Sequence, residues 1–230
     1  MATSITTDPG LPLLRLLQLV SPALPIGAFA YSQGLEWAIE GGWVKDEADL
    51  ESWLADLIQS SLIHVDLPVL ARLYHACARG DAQALARWGT WLLACRETAE
   101  LRAEERQRGR ALAGLLADLG VPGAKRWRSL LESCQAASFA LAAQADGISL
   151  RDALLGYAWS WLEGQVLAGV KLVPLGQTAG QRVQRHLAPR LPSAVETALT
   201  LVDDELGAST PALAIASSRH ETQYTRLFRS

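Results

Sequence analysis

The sequence has little that would build a β-sheet. It lacks any alternating run rich in valine, isoleucine and threonine, the pattern that predicts a half-buried strand. Alanine and leucine, two of the most favourable residues in helices, dominate instead. We therefore expect an all-α fold, a single-domain helical bundle of roughly eight to ten helices if each has about a dozen residues. The domain is expected to span residues 1–230.

Cysteine and excess basic charge are also scarce. The three cysteines, Cys77, Cys95 and Cys134, lie far apart and form no Cys-x-x-Cys pair. We therefore expect reduced, partly buried thiols in a cytoplasmic protein. The net charge of −3 gives no basic surface for a phosphate backbone. Nucleic acid is therefore not an expected partner.

No segment has the layout of a signal peptide or a membrane span. The chain starts without a basic stretch, and the apolar residues 11–20 are too few to cross a bilayer. Residues 153–175 are numerous enough, but they include Glu163, Gln165 and Lys171, which would be costly in hydrocarbon. We expect this segment to be a buried central helix, with no membrane partner.

Start and stop signals for helices divide most of the chain. Asp46, Asp81 and Ser149 stand where N-caps are expected. The predicted helical segments are 13–20, 31–40, 46–62, 67–78, 81–119 (one bent helix or two), 125–145, 149–173, 177–187 and 193–206. Within them, the charged run RETAELRAEERQRGR (96–110) is interpreted as a solvated face with i,i+4 ion pairs, and a partner-facing surface is the alternative.

The motifs that could carry chemistry fail on their spacing. GQTAGQR (176–182) has three residues between its glycines and lacks the Lys-Ser/Thr of a phosphate loop. HETQY (220–224) has Tyr224 where a zinc protease needs its second histidine. His64 and His75 lack a third ligand placed by sequence. We expect no catalytic residue, no metal site and no cofactor, and a binding protein rather than an enzyme.

A rigid connector follows the first predicted helix. In SPALPIGAFAYSQGLEWA (21–38), Pro22 and Pro25 fix the backbone, and Gly27 permits conformations that side chains forbid. A buried corner between helices and a docking site for a partner are both compatible with this composition.

Three segments carry a resemblance to a known family. SPALPIGAFAYSQGLE, KLVPLGQTAGQR (171–182) and RHETQYTRLFRS (219–230) are similar, in order and separation, to the characteristic segments of the urease accessory protein UreF. The resemblance implies an all-α cytoplasmic homodimer. It also implies a complex with UreD (UreH in some organisms) and the GTPase UreG that delivers nickel to the urease apoprotein. In that family this component bridges the other two and carries no nucleotide or nickel of its own.

Two groups of residues are predicted to contact partners near the first two segments. Glu36 and Lys171 are charged residues in apolar surroundings, so each is expected either to be paired internally or to meet a partner. A polar and cationic row, suited to a polar or acidic partner surface, consists of Gln177, Gln181, Arg182 and Arg185.

The C-terminal tail, at about 208–230, is the third predicted contact. Its aromatic and charged anchors are His220, Glu221, Tyr224, Arg226 and Phe228. A chain ending near Ser218 is expected to stay folded and to lose at least one partner. Three functions remain open: a scaffold for the GTPase, a regulator that supplies Arg182 or Arg185 to its active site, and an independent all-α enzyme.

Overall fold

The computed structural model describes residues 10–208 and 210–230 as an all-α protein. The helices are α1 (Leu11–Leu19), α2 (Leu35–Glu40), α3 (Glu47–Leu57), α4 (Leu67–Arg79), α5 (Ala82–Ala94), α6 (Ala99–Asp118), α7 (Arg128–Leu131), α8 (Gln135–Ala145), α9 (Leu150–Leu172), α10 (Gln177–Leu187), α11 (Arg190–Thr200) and α12 (Pro211–His220). No β-strand occurs among the described residues. The start of the chain, on which the absence of a signal peptide was predicted, lies outside them.

Several helix starts follow from the predicted caps. The Asp46 carboxylate accepts from the Asp49 N–H at 3.0 Å, and the Asp81 carboxylate accepts from the Ala84 N–H at 2.9 Å. The Ser149 hydroxyl accepts from the Asp152 N–H at 3.1 Å. Helix α10 has the predicted bounds, whereas segment 81–119 is two helices because Thr98 caps α6.

Residues 47–79 are continuously helical, so the prediction of separate helices over 46–62 and 67–78 was wrong. A π-helical stretch (Ile58–Asp66) joins α3 to α4. Pro68 has no N–H for the His64 carbonyl one turn earlier, and that carbonyl instead accepts from the Gly207 N–H at 2.9 Å. Proline is therefore tolerated because the adjoining loop supplies the missing donor.

The same long helix passes a length and composition test for a membrane span. Among the described residues it is the one helix long and apolar enough to cross a membrane, and 72% of its most apolar stretch is buried inside the protein. Such burial is typical of a core helix. Helix α9, predicted as a buried central helix, also lies largely in the core, with Leu154, Ala158 and Leu162 fully buried.

Helix α8 is rich in alanine, and Ala137, Ala140 and Ala143 are fully buried against its neighbours. A side chain on Gly109 of α6 would place its Cβ only 2.7 Å from the backbone carbon of Cys134. Cys134 itself has an extended backbone, which ends α7 and starts α8, so the prediction of one helix over 125–145 was wrong. The thiols of Cys77 and Cys134 are free and buried, and burial raises the pKa of each to about 12.

Two further predicted boundaries differ from the structure. Residues 31–34 are irregular, and α2 begins only at Leu35 after Gly34, whose φ is 81°. A side chain at Gly34 would lie 2.7 Å from the Ser217 N, so the glycine permits close packing of α12. Segment 193–206 instead starts at Arg190, ends at Thr200 and continues into a 3₁₀ turn, Asp203–Glu205.

Candidate functional site

The three characteristic segments of the sequence meet at one place in the fold. Glu36, in the first turn of α2, is 6% exposed. Its Oε1 accepts from the Leu227 N–H at 2.6 Å, and its Oε2 accepts from the Phe228 N–H at 2.9 Å. The Lys171 Nζ lies 5.7 Å from the centre of the Phe228 ring, within range of a cation–π contact. Residues 221–230, hereafter the C-terminal segment, thus bind to the body of the protein.

His220, at the end of α12, is fully buried between two carboxylates. Its Nε2 lies 3.0 Å from the Glu36 Oε2, and its Nδ1 lies 2.6 Å from the Glu100 Oε2. The other oxygen of Glu100 accepts from Arg226 at 2.6 Å. We call Glu36, Glu100 and His220 the His220 cluster. It joins α2, α6 and α12 through side chains that are far apart in sequence.

Further bonds fix both ends of the C-terminal segment. The Glu221 carboxylate accepts from the Ala99 N–H at 2.8 Å, in the first turn of α6, where a negative charge is favoured. At the other end, the Ser32 N–H donates to the Ser230 carbonyl at 2.6 Å, and the Ser230 hydroxyl donates to Glu104 at 2.9 Å. The segment is therefore part of the folded domain.

Some of the residues predicted to contact a partner are buried in this structure, and others are exposed to solvent. Glu36, His220 and Phe228 are buried and engaged within the chain. Glu36 therefore takes the internal of its two predicted roles. Tyr224 is fully exposed, and Leu227 is 66% exposed. Leu227 was missed by sequence reasoning because an apolar residue beside Phe228 gives no sign of which one enters the core.

The predicted row on α10 is exposed, as its polarity indicated, but its arginines differ. Gln177, Gln181, Arg182 and Arg185 all lie at the surface. Arg182 makes a two-pronged ion pair with Glu47, at 2.8 and 2.6 Å, and this hydrogen bonding lowers the pKa of the Glu47 carboxyl. Arg185 makes no salt bridge to any part of the chain that the structure describes. Its guanidinium is thus available to a partner.

Helix α1 carries an exposed apolar surface that was not predicted. Leu13, Leu14 and Leu17 are 60%, 62% and 55% exposed. Beside them, α1, α9 and α11 enclose an apolar groove of about 670 Å³. Sequence patterning could not assign the outer face, because α1 (LPLLRLLQL) is apolar almost all round.

The groove depends on how closely α1 approaches α9. A Cβ on Gly156 would lie 2.6 Å from the Leu16 Cδ1 and 3.1 Å from the Val20 Cγ1. Trp159, one turn further along α9, is 37% exposed at the groove. Exposed leucine and tryptophan side chains beside one groove are typical of an interaction site.

The charged run 96–110 has a buried face, so its interpretation as merely solvated was wrong. Glu104 and Glu105 are 3% and 7% exposed. Arg96 binds both Asp66 and Glu105, and Arg108 binds Glu104 at 2.8 Å. Burial alone would lower the pKa of Arg96, but the carboxylates of Asp66 and Glu105 outweigh it and raise the pKa well above its usual value.

These buried charges surround a cavity too small to be an enzyme pocket. Its volume is about 40 Å³, against the roughly 300–1,000 Å³ of typical ligand sites. Burial and the Glu105 charge raise the pKa of Tyr157 at its wall. Its buried carboxylates, Asp66, Glu104 and Glu105, are paired with arginines, so the cavity does not favour the independent-enzyme hypothesis.

Among residues 10–208 and 210–230, no group of three or more His, Cys, Asp or Glu side chains is placed to hold a metal ion. His75 is exposed on α4 and His64 lies in the π-helical stretch. Tyr224 points fully into solvent.

Comparison with known proteins gives consistent matches. The UreF family model matches residues 44–188 of the chain. The "Urease accessory protein UreF" of Pseudomonas putida (strain W619) is 57% identical over 220 residues, covering 96% of this chain and 98% of the relative. The protein of the same name from Alcanivorax borkumensis is 53% identical, covering 94% and 97%, and that from Citrobacter koseri is 49% identical, also covering 94% and 97%.

The three relatives match over nearly the whole length of both chains, and the all-α fold agrees with the expectation drawn from the three sequence segments. The chain belongs to the UreF family of urease accessory proteins.

Proposed function

We propose that this protein is a non-catalytic scaffold that joins UreD (UreH) and the GTPase UreG during nickel insertion into the urease apoprotein. It acts in the cytoplasm as a homodimer, with no nucleotide, nickel or other cofactor held as a resident group. The observation that carries the proposal is the exposed apolar surface of α1 with its adjoining groove, in a chain that belongs to the UreF family.

Two chemically different surfaces suit two kinds of partner. Stable, permanent interfaces are rich in apolar side chains, so the α1 surface and its groove are assigned to UreD (UreH). Transient interfaces are more polar, so the α10 row with Arg185 is assigned to UreG. A scaffold that keeps one partner while the other exchanges needs this kind of division.

The exposed part of the C-terminal segment offers a third contact. Deleting residues 219–230 would remove His220 and leave the buried Glu36 and the partly buried Glu100 without their partners, so truncation would disturb the fold as well as the surface. Point substitution is the cleaner test. Because Tyr224 and Leu227 are exposed, their side chains can be removed without emptying the core.

The double variant Tyr224→Ala/Leu227→Ser is expected to keep the wild-type melting temperature and to lose about tenfold or more in affinity for at least one of the two partners, as loss of an aromatic anchor does. Copurification of the full chain with UreD and with UreG, followed by titration of each pair, measures this. The matched control is Thr222→Ala, an exposed change in the same segment. Unchanged affinity for both partners would refute the segment as a contact.

A regulator of GTP hydrolysis is the second candidate, and it is favoured by the exposed Arg185, which forms no ion pair with residues 10–208 or 210–230. An arginine supplied in trans stabilises charge in phosphoryl transfer and raises turnover by about 10³–10⁵-fold. If this chain supplies one, Arg185→Ala abolishes stimulated GTP turnover by UreG while the complex still forms. Arg182→Ala, which breaks only the Glu47 ion pair, leaves turnover within about twofold, as expected for a weak surface pair. Equal stimulated GTP turnover with wild type and with Arg185→Ala would rule out the regulator and leave the scaffold as the remaining hypothesis.

A further inference from the structure

The His220 cluster contains one ring and two carboxylates in an arrangement that requires an extra proton. His220 is 0% exposed, and each of its ring nitrogens faces a carboxylate oxygen. An ionised carboxylate only accepts hydrogen bonds, and a neutral imidazole donates from only one nitrogen. Both contacts are hydrogen bonds only if the cluster holds one proton more than a neutral imidazole between two ionised carboxylates. That proton belongs to the cluster as a unit.

The surrounding charges balance only while this proton is present. Glu36 and Glu100 contribute two negative charges, the protonated ring one positive charge and Arg226 another. Without the proton, a ring lone pair faces a carboxylate in a buried site, which is costly. The other charged groups nearby are engaged elsewhere or exposed: Glu221 on the first turn of α6, Glu40 on Gln223, Glu104 on Ser230 and Arg108, Lys171 over Phe228, and Arg219 at the surface.

The cluster also holds the C-terminal segment. The two oxygens of Glu36 that accept the Leu227 and Phe228 N–H groups are positioned by the His220 ring. Arg226, within the segment, is held by Glu100. Movement of either carboxylate away from an unprotonated ring would therefore loosen the backbone of residues 226–228.

We propose that residues 221–230 form a proton-dependent latch, closed while the His220 cluster holds its extra proton and released as the pH rises. Release would expose Glu36 and the pocket of Phe228 and displace Tyr224 and Leu227 from their positions on the surface. The latch is a property of the chain itself and does not depend on which partner binds there.

Hydrogen–deuterium exchange of the full chain tests the proposal. Exchange is measured from about pH 5 to about pH 9 and is corrected for the intrinsic rate at each pH. The protection of peptides covering 221–230 is expected to fall about tenfold per pH unit once the proton is lost, while peptides of α9 stay protected. Protection of residues 221–230 that is the same at all pH values would overturn the proposal.

Two variants separate the latch from simple loss of structure. In Glu100→Gln, the amide N–H₂ can donate to an unprotonated Nδ1 while its carbonyl still accepts from Arg226, so the latch is expected to stay closed at alkaline pH. His220→Gln is expected to be loose at every pH, whereas the control His75→Gln, at an exposed histidine, keeps the wild-type profile. A wild-type pH profile in Glu100→Gln would also overturn the latch, whether or not His220→Gln folds.

Discussion

Replacement of Arg96 by methionine is expected to lower the free energy of unfolding by about 3–5 kcal/mol, the usual effect of removing one partner from a buried ion pair. Arg96 is the only cation that Asp66 and Glu105 bind in the described part of the chain, and those side chains are 10% and 8% exposed. Without it, two carboxylates face each other in the small cavity beside the π-helical stretch. Urea denaturation followed by circular dichroism measures the loss.

Matched variants identify the cause of that loss. Arg106→Met changes an exposed arginine of α6, the helix that carries Glu105, and is expected to alter stability by less than about 0.5 kcal/mol. Combining Arg96→Met with Asp66→Asn and Glu105→Gln removes the uncompensated charge and is expected to recover part of the stability. A loss below about 1 kcal/mol in Arg96→Met would show that water reaches and solvates the two carboxylates.

The ion pairs of Arg96 with Asp66 and Glu105 illustrate which parts of the fold could be predicted from the sequence. Periodicity and caps are local, so Asp46, Asp81 and Ser149 located helix starts, and α10 was bounded correctly. The burial of Glu104 and Glu105 is not local. It depends on Arg96 and Asp66, and Asp66 is placed by a π-helical stretch that neither periodicity nor capping residues predict. A mixed-charge run therefore looked solvated although one face is internal.

The candidate site shows the same limit at longer range. Glu36 and His220 are separated by 184 positions in sequence, and their contact follows from the approach of α12 to α2 at Gly34. Sequence reasoning identified Glu36, Lys171 and Phe228 individually, because a charge in apolar surroundings and an aromatic in a polar tail are unusual. It could not place them together, so the internal and partner roles of Glu36 and Lys171 both stayed open, and the buried Phe228 was interpreted as a partner contact.

Substitution of α1 leucines is expected to have the largest effect on partner binding. In Leu13→Glu/Leu17→Glu, two side chains that are 60% and 55% exposed become charged. The fold should persist because the core loses little. Binding of UreD (UreH) should fall by about 100-fold or more, since central apolar anchors contribute about 2 kcal/mol or more each. The measurement is the dissociation constant of the purified pair, with Val202→Glu, at a 59% exposed position, as the control.

A second change separates the leucine side chains from the position of the helix that carries them. Gly156→Leu leaves the sequence of α1 unchanged. It places a new side chain in the space occupied by Leu16 and Val20, so α1 must move away from α9. If the partner binds the groove that the two helices form, this variant also loses affinity, although every exposed leucine remains. If Gly156→Leu binds normally while Leu13→Glu/Leu17→Glu does not, the exposed leucine side chains contact the partner by themselves. The groove between α1 and α9 is then not part of the interface. Normal binding by both variants would place UreD on another surface of the chain.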